Sequence, residues 1–112
     1  MLQEFKSFHF VEPMEAPDSP VRPAGGHTFG PGFCIAWQNG PLGRPPVRKE
    51  PNGAFVETII AAAKDRLEFY QRSPFACEAN ERAIKALTEA LAVLDARTKE
   101  REARAVEGTH TV

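Results

Sequence analysis

The placement of proline and glycine constrains this chain more than any other feature. Of its ten prolines and eight glycines, only Pro74 and Gly108 lie beyond Gly53. Proline fixes φ and removes an amide donor, and glycine disfavours helix interiors, so no long helix fits in the first half. The second half carries no such restriction. The reading is therefore a single domain over 1–112, with a Pro/Gly-rich β/loop half at 1–53 and a helical hairpin with a C-terminal tail at 54–112. A chain of 112 residues sustains one modest core.

Charge and apolar content remove several classes. A net charge of −1 argues against a nucleic-acid polymer as partner. No apolar run approaches the roughly 20 residues that span a bilayer, so no membrane partner is expected. The stretch from Met1 to Phe10 contains Glu4, Lys6 and His9 and does not read as a secretory signal. Cys34 and Cys77 sit one in each half. They are read as free thiols of a cytoplasmic protein, although nothing in the sequence forbids their pairing.

In the first half, Phe5, Phe8 and Phe10 with Val11 suggest a short strand, with Phe8 and Phe10 on one face. Between Glu12 and Gly32 the density of breakers predicts a wrapping or mobile loop with no long regular element. Gly25-Gly26-His27-Thr28-Phe29-Gly30-Pro31-Gly32 lacks the spacing of a phosphate-cradling loop, and a flexible connector is the expected role. Phe33, Ile35 and Trp37 alternate as in a strand, and Asn39-Gly40 follows as a hairpin turn signal. A return strand around Pro46 to Lys49 would be confined to an edge by its prolines.

From Ala54 the period changes. Phe55, Ile59, Ile60, Ala63, Leu67 and Tyr70 recur at helical spacing, with Asn52 as the expected cap and Glu57 in the first turn. Ser73-Pro74 breaks this helix and suits the cap and first position of the next. Ile84, Leu87, Leu91, Leu94 and Thr98 step by three and four, a narrow seam. Glu78–Arg82, Glu81–Lys85, Asp95–Lys99 and Glu100–Arg104 form i,i+4 pairs on the outer surface. The helices come to roughly 27 Å and 42 Å. The distal part of the second, Leu94 to Arg104, must therefore meet the sheet, another copy or solvent. Its continuing apolar seam favours self-association. The fold class is α+β: a small antiparallel sheet with irregular loops, then a long antiparallel two-helix hairpin that oligomerises.

Three features carry chemistry. Arg97, Arg101 and Arg104 form a stripe at i, i+4 and i+7. Such cations complement a helix C-terminus or bind phosphate through their planar forks. Phe69, Tyr70, Gln71, Phe75 and Asn80 surround the hairpin turn. The adjoining aromatics cannot both face one core, so one serves either an interface or as a stacking platform, with Asn80 reading a base edge. The turn around Asn39-Gly40 carries Arg44, Arg48 and Lys49, as a solvated loop commonly does. His9, His27 and His110 make no metal spacing with the cysteines, and no catalytic constellation, metal site or cofactor is predicted. A nucleotide-processing enzyme would have to use Glu78 or Glu81, which both have helix-surface roles. A structural or adaptor hairpin oligomer remains the alternative from another class.

These motifs resemble a known family. Trp37-Gln38-Asn39-Gly40-Pro41-Leu42, Asn52-Gly53, Asp65-Arg66-Leu67-Glu68-Phe69-Tyr70-Gln71, Phe75-Ala76-Cys77 and Arg97-Thr98 with Arg101 and Arg104-Ala105-Val106-Glu107-Gly108-Thr109-His110 look like the phage-encoded sponges of nucleotide immune signals. That family includes the Thoeris anti-defence one and anti-CBASS two hairpin proteins, and the likeness runs from about Phe33 onward. It implies a non-enzymatic protein of the infected host cell. Such a protein sequesters cyclic ADP-ribose isomers, and in some members cyclic oligonucleotides, as a dimer or a hexamer built from dimers. It places ligand contacts on Tyr70, Asn80 and Arg97, with Arg101 and Phe75 beside them and Arg44 or Arg48 closing the pocket. The chain departs from the family pattern at Ala105, where glycine is usual, and at Ala79, where an acid usually precedes the asparagine.

Overall fold

A computed structural model describes residues 2–12, 22–40, 42 and 49–103. They fall into two compact units, the first closing at Phe55 and the second opening at Val56. The first is a three-stranded antiparallel sheet in the order β1 (Lys6–Glu12), β2 (Arg22–Gly30), β3 (Phe33–Trp37). The second is a hairpin of α1 (Val56–Gln71) and α2 (Glu78–Ala103). The expected α+β architecture is the one observed.

The largest correction concerns the glycine-rich stretch. It is no connector: Arg22 to Gly30 form the central strand, paired with β1 on one side and β3 on the other. Two local devices make this feasible. Gly26 lies at φ +130, a region L side chains rarely adopt, and a Cβ there would collide with the Phe8 carbonyl. The β1–β2 register is irregular between His9 and Val11, just where Gly26 meets His9. Pro23 is tolerated because β3 pairs with β2 only from Gly26 onward, so the strand has a single neighbour at Pro23. Pro31 and Gly32 then make the two-residue turn into β3. Gly32 at φ +85 follows the proline, as a type II turn requires.

The two sheet faces differ in chemistry. On one, the Ser7 and Thr28 hydroxyls lie 2.9 Å apart and the indole N–H of Trp37 donates to Thr28 Oγ1 at 2.8 Å. This links all three strands. On the other, Phe8 stacks on Phe29 at 6.1 Å between centroids and Phe10 meets the His27 ring edge-on at 6.0 Å. Phe8 and Phe10 do share a face, as their alternation predicts, and both are exposed.

After β3 the chain returns at Ala54 in a parallel bridge to Trp37. Gln38 N–H donates to the Ala54 carbonyl at 3.0 Å, and Ala54 N–H to the Ala36 carbonyl at 2.7 Å. The expected return strand at Pro46 to Lys49 lies outside the described residues except Lys49, which is not in a strand. Asn52 is not a helix cap. Its Oδ1 accepts Asn39 N–H at 2.8 Å, its Nδ2 donates to the Asn39 carbonyl at 3.0 Å, and its own N–H donates to Gln38 Oε1 at 2.9 Å. With its side chain held in the sheet unit, Asn52 stands four residues before the first helical residue.

α1 has 16 residues and α2 has 26, so the helices are about 24 Å and 39 Å long. α2 opens at Glu78, not at Ser73-Pro74. The Ser73 hydroxyl is engaged in the turn instead, donating to the Tyr70 carbonyl at 2.5 Å and accepting Phe75 N–H at 3.1 Å. Cys77 then supplies the carbonyl that accepts Glu81 N–H at 3.3 Å. Ile84, Leu87, Leu91 and Leu94 are half-buried along the seam, but Thr98 is exposed and its hydroxyl bonds back to the Leu94 carbonyl at 3.2 Å. The seam therefore ends at Leu94. Among the described residues two of the expected surface pairs form, Asp95–Lys99 at 3.1 Å and Glu81–Lys85 at 4.0 Å, and Glu100–Arg104 lies outside them. Among the described residues, Ala24 is the sole buried hydrophobic side chain, and neither helix buries a residue.

Candidate functional site

The chemistry of the hairpin gathers at its turn. Tyr70 is the penultimate residue of α1, and its carbonyl accepts both the Ser73 hydroxyl and the Ser73 N–H. Gln71 reaches across the turn to the backbone of Cys77. Its Nε2 donates to the Cys77 carbonyl at 3.1 Å and its Oε1 accepts Cys77 N–H at 3.0 Å. The two bonds fix where α2 begins. Asn80, one residue after the first two of α2, donates from Nδ2 to the Phe75 carbonyl at 3.2 Å. Phe75 itself is 76% exposed.

The two adjoining aromatics divide as their adjacency requires, Phe69 exposed and Tyr70 half-buried, with centroids 6.0 Å apart. Arg66 joins them. Its guanidinium carbon lies 5.0 Å from each ring centroid, and its Nε donates to the Tyr70 hydroxyl at 3.2 Å. Sequence reading singled out no role for Arg66. The signal was present in its spacing, since positions three and four apart share a helix face. Cys77 and Cys34 are both exposed free thiols.

Tyr70, Phe75 and Asn80 thus come together at one end of the hairpin. Arg97 and Arg101 do not join them. Arg97 follows Asn80 by seventeen positions on the same helix, which places it about 26 Å further along the axis. Arg97 is exposed and Arg101 half-buried. Arg44, Arg48 and Arg104 lie outside the described residues. Glu78 is exposed, and Glu81 faces Lys85. Among the described residues no three His, Cys, Asp or Glu side chains are grouped to hold a metal ion, and no helix is long and apolar enough to cross a membrane. A separate feature is an open, mainly apolar groove of about 600 Å³ in the sheet unit, lined by Leu2, Phe5, Phe29 and Pro31 among others. Its lining comes from β1, β2 and their flanks, and no local motif announces it.

The described residues thus make a small α+β chain in which Tyr70, Phe75 and Asn80 sit at the turn of a helical hairpin. The family model described as Acb2/Tad1, hairpin domain, matches residues 35–99, from within β3 to within α2. The chain belongs to that family. It is also 51% identical over 59 residues to the protein named Thoeris anti-defense 1 of Bacillus phage SBSphiJ7. That alignment covers 53% of this chain and 42% of the relative, so the chain spans well under half of the relative's length. The motif-based resemblance and the family match agree.

Proposed function

We propose that this protein is a non-enzymatic sponge that binds and sequesters cyclic ADP-ribose-type signals, and cyclic oligonucleotides at the same or further sites. It would block bacterial anti-phage defence in the cytoplasm of the infected host cell. The observation that carries this reading is the family match over the hairpin, whose turn groups an aromatic platform, a half-buried amide and a cation. Aromatic faces stack on bases and amides read base edges, which is how a nucleotide is held without chemistry being done on it.

The site is composite in this proposal. Arg97 and Asn80 are about 26 Å apart on one helix, too far for one small nucleotide to touch both. A second copy running antiparallel brings its Arg97 and Arg101 to the first copy's Tyr70 and Asn80, with Phe75 at the rim and Arg44 or Arg48 closing the pocket. The exposed apolar side chains of both units support such self-association, as a dimer or as a hexamer built from dimers. Oligomerisation pre-forms the pocket, and a sponge gains most from slow release.

Isothermal titration with cyclic ADP-ribose isomers, cyclic dinucleotides and cyclic trinucleotides tests the proposal. At least one should bind with micromolar affinity or tighter, about −8 kcal/mol. It should be recovered intact after heat denaturation of the protein. Arg97→Ala should abolish binding while light scattering shows the assembly unchanged. Binding of none of these ligands, with no ligand-induced rise in melting temperature, would leave the adaptor reading in its place.

A further inference from the structure

The cation closest to the turn's aromatic pair belongs to the same chain and is held in an unusual way. Arg66 precedes Phe69 by three residues and Tyr70 by four, and its guanidinium rests 5.0 Å from both ring centroids. Its Nε is engaged by the Tyr70 hydroxyl. The helix lysines Lys85 and Lys99 stand against carboxylates, whereas no carboxylate among the described residues pairs with Arg66. Arg66 is thus fixed by aromatic faces and a hydroxyl, not by a counter-ion. Its side chain is exposed, and its two terminal amino groups make no hydrogen bond within the described residues. A guanidinium anchored in this way keeps the planar N–H fork that matches a phosphate, with less side-chain freedom to lose on contact.

We propose that Arg66 is the phosphate contact supplied by the same chain as Tyr70 and Asn80, its terminal N–H groups bridging two oxygens of a phosphodiester or pyrophosphate. The proposal rests on the nucleotide-binding reading and assigns the ligand's second phosphate. Arg97 of a second copy takes one, and Arg66 takes the other. It also accounts for why a helix-surface arginine beside the platform forms no ion pair among the described residues.

The test uses the full chain, labelled with 15N, and follows arginine Nε–H signals during titration with inorganic pyrophosphate and then cyclic ADP-ribose. The Arg66 signal should shift saturably with pyrophosphate. Arg66→Gln should weaken cyclic ADP-ribose binding by about tenfold or more, and Arg66→Lys by less, because charge survives without the fork. A structural role alone would change the melting temperature and the Tyr70 ring signals while pyrophosphate affinity stayed at the wild-type value, and that result overturns the proposal. So does an Arg66→Gln protein that binds cyclic ADP-ribose normally, which would leave the sponge reading intact. Conversely, saturable pyrophosphate binding at Arg66 with no binding of any cyclic ADP-ribose isomer, cyclic dinucleotide or cyclic trinucleotide would sustain the phosphate contact and refute the sponge reading.

Discussion

Gln71 shows how a single side chain sets the geometry on which the turn depends. Both ends of its amide bond the backbone of Cys77, bridging six residues and fixing the point at which α2 can start. Asn80 stands three residues after Cys77, so its orientation is inherited from that clamp. Gln71→Ala removes both bonds and should lower stability by about 1–2 kcal/mol, read from a urea titration. It should also weaken ligand binding through Asn80, whereas Gln71→Glu keeps only the acceptor and should fall between. An alanine variant with unchanged midpoint and binding would show that the turn is held by Ser73 alone. Asn52 has a comparable role in the sheet unit, where it holds both backbone groups of Asn39. The polar residues of Trp37-Gln38-Asn39-Gly40 and Asn52-Gly53 thus have a structural explanation, since they bond to one another.

At the scale of elements, β2 is the piece on which the sheet depends. It carries both ladders, and it does so with a glycine pair at its centre. Gly26→Ala would need a φ that L residues rarely adopt and would press a Cβ against the Phe8 carbonyl. The expected loss is about 2 kcal/mol or more. It should appear as a lower urea midpoint together with loss of hydrogen-exchange protection in β1, while the helix signal in circular dichroism persists. Equal protection in wild type and variant would refute this account. The helices show a different limitation. α1 is about 15 Å shorter than α2, so it cannot line the whole of its partner. The seam stops at Leu94, and from Asp95 to Glu100 every residue of α2 is exposed. In the proposed assembly this bare segment delivers Arg97 to the ligand pocket shared with a second copy, and the apolar side chains make the contact between copies.

The described residues bury little. Phe8 and Phe10 remain about half exposed, at 53% and 51%, and the hairpin has no fully buried side chain. Each fully buried side chain of this kind adds about 1.5–3 kcal/mol, and a chain that leaves them exposed gives up that stabilisation. Burying them against other copies would recover it. Light scattering across a dilution series should therefore give a mass that is a multiple of 12.4 kDa. The melting temperature should rise with protein concentration, as it does for any state stabilised by association. A monomeric mass throughout, with a concentration-independent transition, would rule out the composite pocket. Arg97→Ala should not change either readout, because Arg97 is exposed and lies beyond the end of the apolar seam.

Local periodicity settled a good part of this protein. Period-two alternation marked β1 and β3, and spacing by three and four marked both helices to within two residues of their ends at α1's close and α2's close. Even the separation of Arg97 from Asn80 was implicit, because helix rise converts positions directly into distance. These properties depend on contacts between neighbours in sequence. What the residues alone did not disclose depends on partners far away in the chain. Arg22 to Gly30 read as a loop because glycine and proline are poor strand formers. Only pairing with β1 and β3, fifteen or more and four or more residues away at most positions, makes a strand of them. Asn52 read as a cap because its type suits one, yet its amide found Asn39 thirteen positions earlier. Ser73 differs in kind, since its hydroxyl bonds to Tyr70 only three residues back rather than capping α2. Amphipathic period thus determined which residues form helices and strands. Tertiary structure decided which polar side chains hold the frame, because a hydrogen-bonding side chain takes whichever partner the folded backbone brings within reach.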